Sequence, residues 1–468
     1  MQLMTPPPSS TWQKPLGPVD RTTFEAEQAL RRRQARRLSR ATWGVAAVDL
    51  GLTSIIVTPM ALLLVILLSN LAAKLFPPFG LAAEAVEAFY TWVFSDKPTP
   101  YHVLGAVGLL MIPGIAGTFV LMPLARQIFG SIGARAWALG LGARELNDLD
   151  FEEKQAQNLV DEMAIACGLA GAPVMILDAE RPNAFPVGLD ERDFVIVVTR
   201  GLLDELDREK SQGVVAHAVA TVANGDLRLT LSIRTMYMAI GLMTTLFDFV
   251  LTKEARKTSV ELIKFACTSR AKRSAETAML LAERLVARSG TKALEEVTEA
   301  QRESTGQVLR YMFLGWIILP LMIARAFGSL VLLMINLFLV GPFFGVTMQK
   351  RKRLADATAV QLTRNPQAVA EGLMTFAQGY EPLAQDPWIE IIAVVGPDWQ
   401  SQSALAERLG SLGTFHPTLN SRLGRLIAMG AQIDYRPRRE ASPYWGLGCG
   451  VLVLLSILTY VVWAAVQA

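Results

Sequence analysis

The residues with chemical potential in this chain fall in one short stretch, Ser211 to Asp226, which reads SQGVVAHAVATVANGD. Two histidines four apart on a helix face the same way and can hold a zinc ion, and a glutamate directly after the first can take a proton from the metal-bound water. Here those five positions are His217, Ala218, Val219, Ala220 and Thr221. The first imidazole is in place, the base position carries a methyl group, and the second ligand position carries a hydroxyl. The plainer reading of His217 is a buried, hydrogen-bonded core histidine. The chain has 3 histidines in all. His102 sits at the edge of an apolar run, so His217 and His416 are the imidazoles able to share a site. Catalytic zinc normally has three protein ligands, so that pair would need a carboxylate such as Asp226 or Asp356.

The elements that must position this stretch are those of a membrane protein. Of 468 residues, 51% are hydrophobic, a high share for a soluble chain. The formal charge of +3 points to no nucleic acid. Cys167, Cys267 and Cys449 lie far apart and form neither a disulfide framework nor a cysteine metal site. Residues 1–40 read as a flexible, basic tail: a proline-rich start, then Arg31, Arg32, Arg33, Arg36, Arg37 and Arg40 before an apolar run, as a juxtamembrane topology signal requires. Residues 41–130 read as a transmembrane hairpin with spans at about 45–73 and 103–125, both flanks facing the cytoplasm.

A soluble first half-core follows at 131–230. Its order is a helix from Phe151, strands Val174–Asp178 and Phe194–Arg200 on either side of a turn-rich segment, a short helix from Gly201, and the His217 helix. Residues 231–251 form a short apolar segment, 252–310 a basic helical insert, and 311–343 an apolar segment broken by Pro320, Arg325 and Gly328. Whether these two apolar segments cross fully or re-enter stays open, and with it the side of the insert. The insert reads either as amphipathic helices on an anionic membrane surface or as a docking site for another protein. Residues 344–440 make a second, largely helical half-core, and 446–466 a final span that places the C-terminus outside the cytoplasm.

Six ordered blocks carry a family resemblance: LVDEMAIACGLAGAPVMILD, PNAF at Pro182–Phe185, VTRGLL, VVAH with ANGD, LADATAVQLTRNP at Leu354–Pro366, and HPTLNSRL at His416–Leu423. Together they resemble the membrane-anchored zinc metallopeptidases of the HtpX, Oma-type and CAAX-prenyl-protease group. The resemblance implies an α-helical membrane protein with a mainly α, α+β zincin-like (gluzincin-type) cytoplasmic core, in which a small edge β-sheet lies beside the active-site helix. It also implies a zinc held by two histidines and a later glutamate. Carried over by position, the first ligand is His217, the base is Ala218, the second ligand is Thr221 and the third is Lys352, so three of the four chemical positions are replaced.

The resemblance therefore implies a vestigial site of His217, Asp226, Asp356, His416 and Arg422, with no catalytic residue and no cofactor expected. The Lys352 ammonium is expected to stand in for the lost cation and to hydrogen-bond Asp226, Asp356 or His217. Asn183, Ala184 and Phe185 correspond to backbone that the family presents to an extended polypeptide. The expectation is a membrane-embedded pseudopeptidase of a bacterial inner membrane, with the lipid bilayer as one partner, that binds or regulates an extended polypeptide or membrane protein at the membrane. The alternative is an active zinc endopeptidase with atypical ligands. A transport role draws its support from Arg325 within an apolar block.

Overall fold

The computed structural model describes residues 24–74, 78–93, 99–130, 132–249, 251–269, 272–289, 322–323, 325–376, 391–396 and 415–436, with a few isolated positions besides. The proline-rich start of the tail, the second half of the basic insert, the opening of the fourth apolar block and most of the final span lie outside the described residues.

An N-terminal hairpin is built from α1 (Phe24–Ala73) and α3 (Pro100–Phe129), with α2 (Pro78–Val93) packed on α1 at the hairpin's turn. The arginine-rich segment is helical and continuous with the apolar run, so α1 is a 50-residue helix. Small residues let the two long helices approach: a Cβ on Gly114 would sit 2.0 Å from the Leu50 carbonyl oxygen. At the same crossing the Ser54 hydroxyl donates to the Leu110 carbonyl at 2.7 Å. Leu104, Ile112, Phe119 and Val120 of α3 are exposed, which suits a helix whose outer face meets lipid.

The half-cores come together around a four-stranded sheet of order β1-β2-β4-β3. β1 (Ala143–Glu145) is antiparallel to β2 (Val174–Leu177), β2 is parallel to β4 (Asp193–Thr199), and β4 is antiparallel to β3 (Ala184–Asp190). β3 fills most of the segment that its Pro186 and Gly188 mark as turn-rich. As an edge strand it tolerates proline, and its register shifts between Gly188 and Asp190. α4 (Ala134–Gly140) packs on β3 and β4, α5 (Phe151–Ala166) on β2, and α6 (Arg200–Glu205) follows β4 directly.

α7 (Arg208–Ala223) carries His217 and is buried from Gly213 to Ala223. It begins where the Asp207 carboxylate accepts the Lys210 amide at 2.9 Å. It ends at Asn224 and Gly225, whose φ of 81° lets the chain turn straight into α8 (Asp226–Asp248). α8 is apolar enough to cross a membrane, yet most of it is buried inside the protein, against α1, α3 and α10.

The described half of the insert, α9 (Lys253–Cys267) and α10 (Ala275–Arg288), packs into the body and is not laid out on a separate surface. Ala278, Leu281, Ala282 and Leu285 are buried, and a Cβ on Gly241 of α8 would strike the Leu285 carbonyl at 1.7 Å. α11 (Arg325–Thr363) is a 39-residue helix with a π-helical turn at Asn336–Val340. Its apolar first part gives way to the polar Gln349–Arg353 stretch, which enters the core beside α7. α12 (Pro366–Thr375) and α13 (Leu419–Ala428) complete the second half-core.

Arg325 has a structural partner. Asp248 at the end of α8 accepts its Nε at 2.7 Å and the Arg288 guanidinium at 2.7 Å, with all three residues buried. The charge within the apolar block is thus half of an ion pair that ties α8, α10 and α11 together.

Candidate functional site

α7 and α11 cross in contact, which places His217 opposite Asp356. The His217 Nδ1–H donates to Asp356 Oδ1 at 2.8 Å. Arg422 of α13 grips the same carboxylate with two bonds, Nε to Oδ2 at 2.8 Å and Nη2 to Oδ1 at 2.6 Å. Its remaining nitrogen donates to the Val394 carbonyl at 2.6 Å. Burial pushes the His217 imidazole down to about 4, Asp356 opposing the shift and the Arg422 and Lys352 cations adding to it. The ring is therefore neutral at pH 7, its proton on Nδ1, and the buried Nε2 has no hydrogen-bond partner among the described residues.

One turn from Asp356 on α11, Lys352 is buried, its amino group donates to the Ala393 carbonyl, and burial together with the nearby Arg422 charge pulls its pKa well below the ordinary lysine value. This differs from the expected pairing with Asp226, Asp356 or His217. The two aspartates are served by arginines: Asp356 by Arg422, and Asp226 by Arg351, which also donates to the Asn224 carbonyl at 2.7 Å. A guanidinium matches a carboxylate with a planar fork, while an ammonium is a point charge. The arginines thus satisfy the acids and leave Lys352 a backbone partner. Thr221 turns its hydroxyl to the His217 carbonyl at 2.9 Å, and Ala218 is a fully buried methyl.

The structure brings His217, Thr221, Lys352, Asp356 and Arg422 into one centre, with Asp226 joined through Arg351. His416 lies beside it, against Gly396: a Cβ there would come within 2.3 Å of the imidazole Nε2. Asn183, Ala184 and Phe185 are buried, and their edge is engaged from within the chain. The Val394 amide donates to the Ala184 carbonyl at 3.2 Å, and the Asn183 side-chain amide donates to the Val395 carbonyl at 3.2 Å. Residues 391–396 thus run from the edge strand to Lys352 and Arg422.

Four residues beyond the sequence reading take part. Arg351 and Asn224 join the Asp226 arm, Arg32 of α1 reaches the end of α7, and Arg31 reaches α11. Arg32 donates to the Ala223 carbonyl at 2.9 Å, and Arg31 to Thr358 Oγ1 at 2.7 Å. Arg351 had a signal, since a retained buried aspartate needs a cation close by. Arg31 and Arg32 read as part of the juxtamembrane topology signal, and nothing local separates them from their neighbours.

As a zinc site the centre does not fit. His217 has the geometry of a metal ligand, with its outer nitrogen held by a carboxylate. Beside it stand a threonine bonded to backbone and a lysine, and among the described residues no three His, Cys, Asp or Glu side chains are grouped to hold a metal.

With this geometry in view, the peptidase family M48 profile matches residues 150–293. The chain is similar to a Protease HtpX homolog of Dictyoglomus turgidum, 24% identical over 273 residues, covering 58% of this chain and 68% of that one. A Protease HtpX homolog of Bacteroides fragilis is 24% identical over 352 residues, covering 72% and 87%. Residues 150–293 thus resemble an M48 peptidase domain, and the chain is similar to HtpX homologs over more than half of its length. A third relative, a Protease HtpX homolog of Thermoanaerobacter pseudethanolicus, is 36% identical over 173 residues, covering 37% of this chain and 52% of its own length. No solved structure matches. The M48 match takes in His217, Ala218 and Thr221 and stops before Lys352.

Proposed function

We propose that this chain is a non-catalytic M48 protein: a membrane-embedded pseudopeptidase that keeps a zincin-like core as a scaffold for binding or regulating polypeptides. The observation that supports it best is Lys352, whose amino group donates to the Ala393 carbonyl beside the His217–Asp356–Arg422 cluster. A dication brought there would meet a lysine where a carboxylate ligand is needed, and a single imidazole. Ala218 offers nothing to deprotonate a water.

In this reading residues 391–396 hold the edge strand in the way an extended peptide would, through backbone hydrogen bonds at Ala184 and a side-chain bond from Asn183. A polypeptide partner would displace that segment or add beyond it. The arginines before the first span and after the second support a core and N-terminus in the cytoplasm, with the C-terminus outside. The transport reading loses its motive, since Arg325 is paired with Asp248.

Elemental analysis of the full chain purified in detergent tests the proposal. The expected result is far less than one zinc per chain, unchanged in His217→Ala. Stoichiometric zinc that His217→Ala removes would overturn it in favour of an active enzyme with atypical ligands, the reading that the open His217 Nε2 favours. The triple variant Ala218→Glu, Thr221→His, Lys352→Glu is expected to bind one zinc, because the His217–Asp356 support is already built.

A further inference from the structure

The arginines of α1 that do not reach α7 have another setting. Arg33, Arg36, Arg37 and Arg40 recur at helical spacing and share one face of α1. That face, with Arg126 in the last turn of α3 and Arg228 near the start of α8, lines a cavity of about 470 Å³ floored by Leu231 and Ser232. Three helices far apart in sequence thus turn six guanidinium groups toward one concavity. Arg228 is neutralised by Asp190 and Glu191, at 3.0 and 3.2 Å. The other five make no ion pair among the described residues.

Five guanidiniums around one hollow repel each other, and an anion among them would relieve that repulsion. The cavity is also at a defined height. Its α1 residues end just before the apolar run that starts near Val45, and Arg126 directly follows the apolar run of α3. Both spans enter the bilayer at this level, which is where phospholipid phosphates lie. Arg33 to Arg40 covers about 10 Å of helix, the scale of a phosphoglycerol headgroup. Phosphate oxygens accept paired N–H bonds from guanidinium forks, and arginine recognises them better than lysine does.

We infer that this arginine cavity, formed by α1, α3 and α8, binds the phosphate headgroup of an anionic phospholipid, whose acyl chains run down the hairpin. Nothing in the His217 centre requires it. The site makes the lipid a structural ligand of the region where α1 also touches α7 through Arg32 and α11 through Arg31.

The test uses the full chain in a neutral detergent, with dioctanoyl phosphatidylglycerol, dioctanoyl phosphatidylcholine and inorganic pyrophosphate as probes. The readouts are binding affinity and thermal midpoint. The phosphatidylglycerol is expected to bind at least tenfold more tightly than the phosphatidylcholine and to raise the midpoint. The variant Arg36→Gln/Arg40→Gln/Arg126→Gln is expected to lose at least tenfold of that affinity. A control of equal charge change on α5 and the first turn of α7, Lys154→Gln/Arg208→Gln/Lys210→Gln, none of which lines the cavity, is expected to bind as the parent does. Equal binding of the two lipids would overturn the proposal, as would equal losses in pocket and control variants, which would mean diffuse attraction. Pyrophosphate binding as tightly as the lipid would reassign the cavity to a soluble phosphate compound, and displacement of the lipid by an acidic peptide at equal concentration would reassign it to a protein partner. If the glutamine triple does not fold, Arg36→Lys/Arg40→Lys/Arg126→Lys takes its place: it keeps the charge, loses the forks, and is expected to weaken lipid binding several-fold.

Discussion

Two clusters of arginine in this molecule are handled in opposite ways. In the α7–α11 centre each guanidinium is buried and matched: Arg422 to Asp356 and Arg351 to Asp226, with backbone carbonyls taking the spare N–H groups. In the cavity between α1, α3 and α8 five arginines stand at a wet boundary with no ion-pair partner among the described residues. The first cluster is closed within the chain and its charges serve the fold. The second is open, and its charges are offered to something outside the chain. A buried charge that loses its partner is costly, while an exposed one is stabilised by water. Stability measurements should therefore separate the two regions sharply, and binding measurements should separate them in the opposite direction.

The largest effect is expected from Arg422→Ala. It strips both bonds from a buried carboxylate and leaves the Val394 carbonyl without its donor. Breaking a buried pair from one side costs about 3–5 kcal/mol, which should lower the thermal midpoint by many degrees or prevent accumulation of folded protein. The double variant Arg422→Leu/Asp356→Leu is expected to recover most of the loss, though His217 also gives up its acceptor. If Arg422→Ala unfolds at the parent's midpoint, the centre is not the closed network described here.

A pH titration sharpens the same contrast through one residue. His217 is held neutral with its pKa near 4, against an ordinary value of 6.5. Between those values the unfolded chain binds a proton that the folded chain refuses, so stability is full above about 6.5 and declines as pH falls toward 4. A shift of this size corresponds to roughly 3 kcal/mol across the window. Midpoints measured from pH 7 to 4.5 should fall more steeply for the parent than for His217→Gln, whose amide can donate to Asp356 but does not titrate. Parallel curves would remove His217 from the buried network.

Much of this architecture was legible in the sequence. The strands at Val174 and Phe194, the helices on either side of them and the first two apolar runs stand out through periodicity and turn residues, and six blocks in family order located His217, Lys352, Asp356 and Arg422 before any geometry. What could not be read were partnerships across long separations. Nothing local tells Arg351, one residue before Lys352, to take Asp226, or tells Lys352 to bond a carbonyl 41 residues on. β3 was obscured by Pro186 and Gly188, which an edge strand can carry and an inner one cannot. The arginines of α1 looked like a single juxtamembrane topology signal, because only packing decides that Arg31 and Arg32 turn inward while Arg33, Arg36, Arg37 and Arg40 line the cavity.

Lys352 tests which side of the contrast it belongs to. It is buried like Arg422, yet its recorded partner is a neutral carbonyl, so its removal abandons no carboxylate. Lys352→Met keeps the length of the side chain, removes a buried amino group and leaves the Ala393 carbonyl unserved. These contributions oppose each other, and the net change is expected to stay within about 1 kcal/mol of the parent, well short of Arg422→Ala. A loss as large as that of Arg422→Ala would mean that Lys352 balances Asp226 and Asp356 after all.

The smallest stability effect is expected in the open cluster. Arg36 and Arg40 are exposed on α1 and make no ion pair among the described residues, so Arg36→Ala or Arg40→Ala removes repulsion and little else. Surface substitutions of this kind usually change stability by less than about 0.5 kcal/mol. In lipid-free detergent the midpoint should hold or rise slightly, since each change relieves like-charge crowding. With phosphatidylglycerol present the order should invert, because the parent gains stability from a ligand that the variants hold less well. That inversion, read as two midpoints for each protein, distinguishes a cavity shaped for an anion from arginines that only mark the membrane boundary: the latter would give the same ranking with and without the lipid.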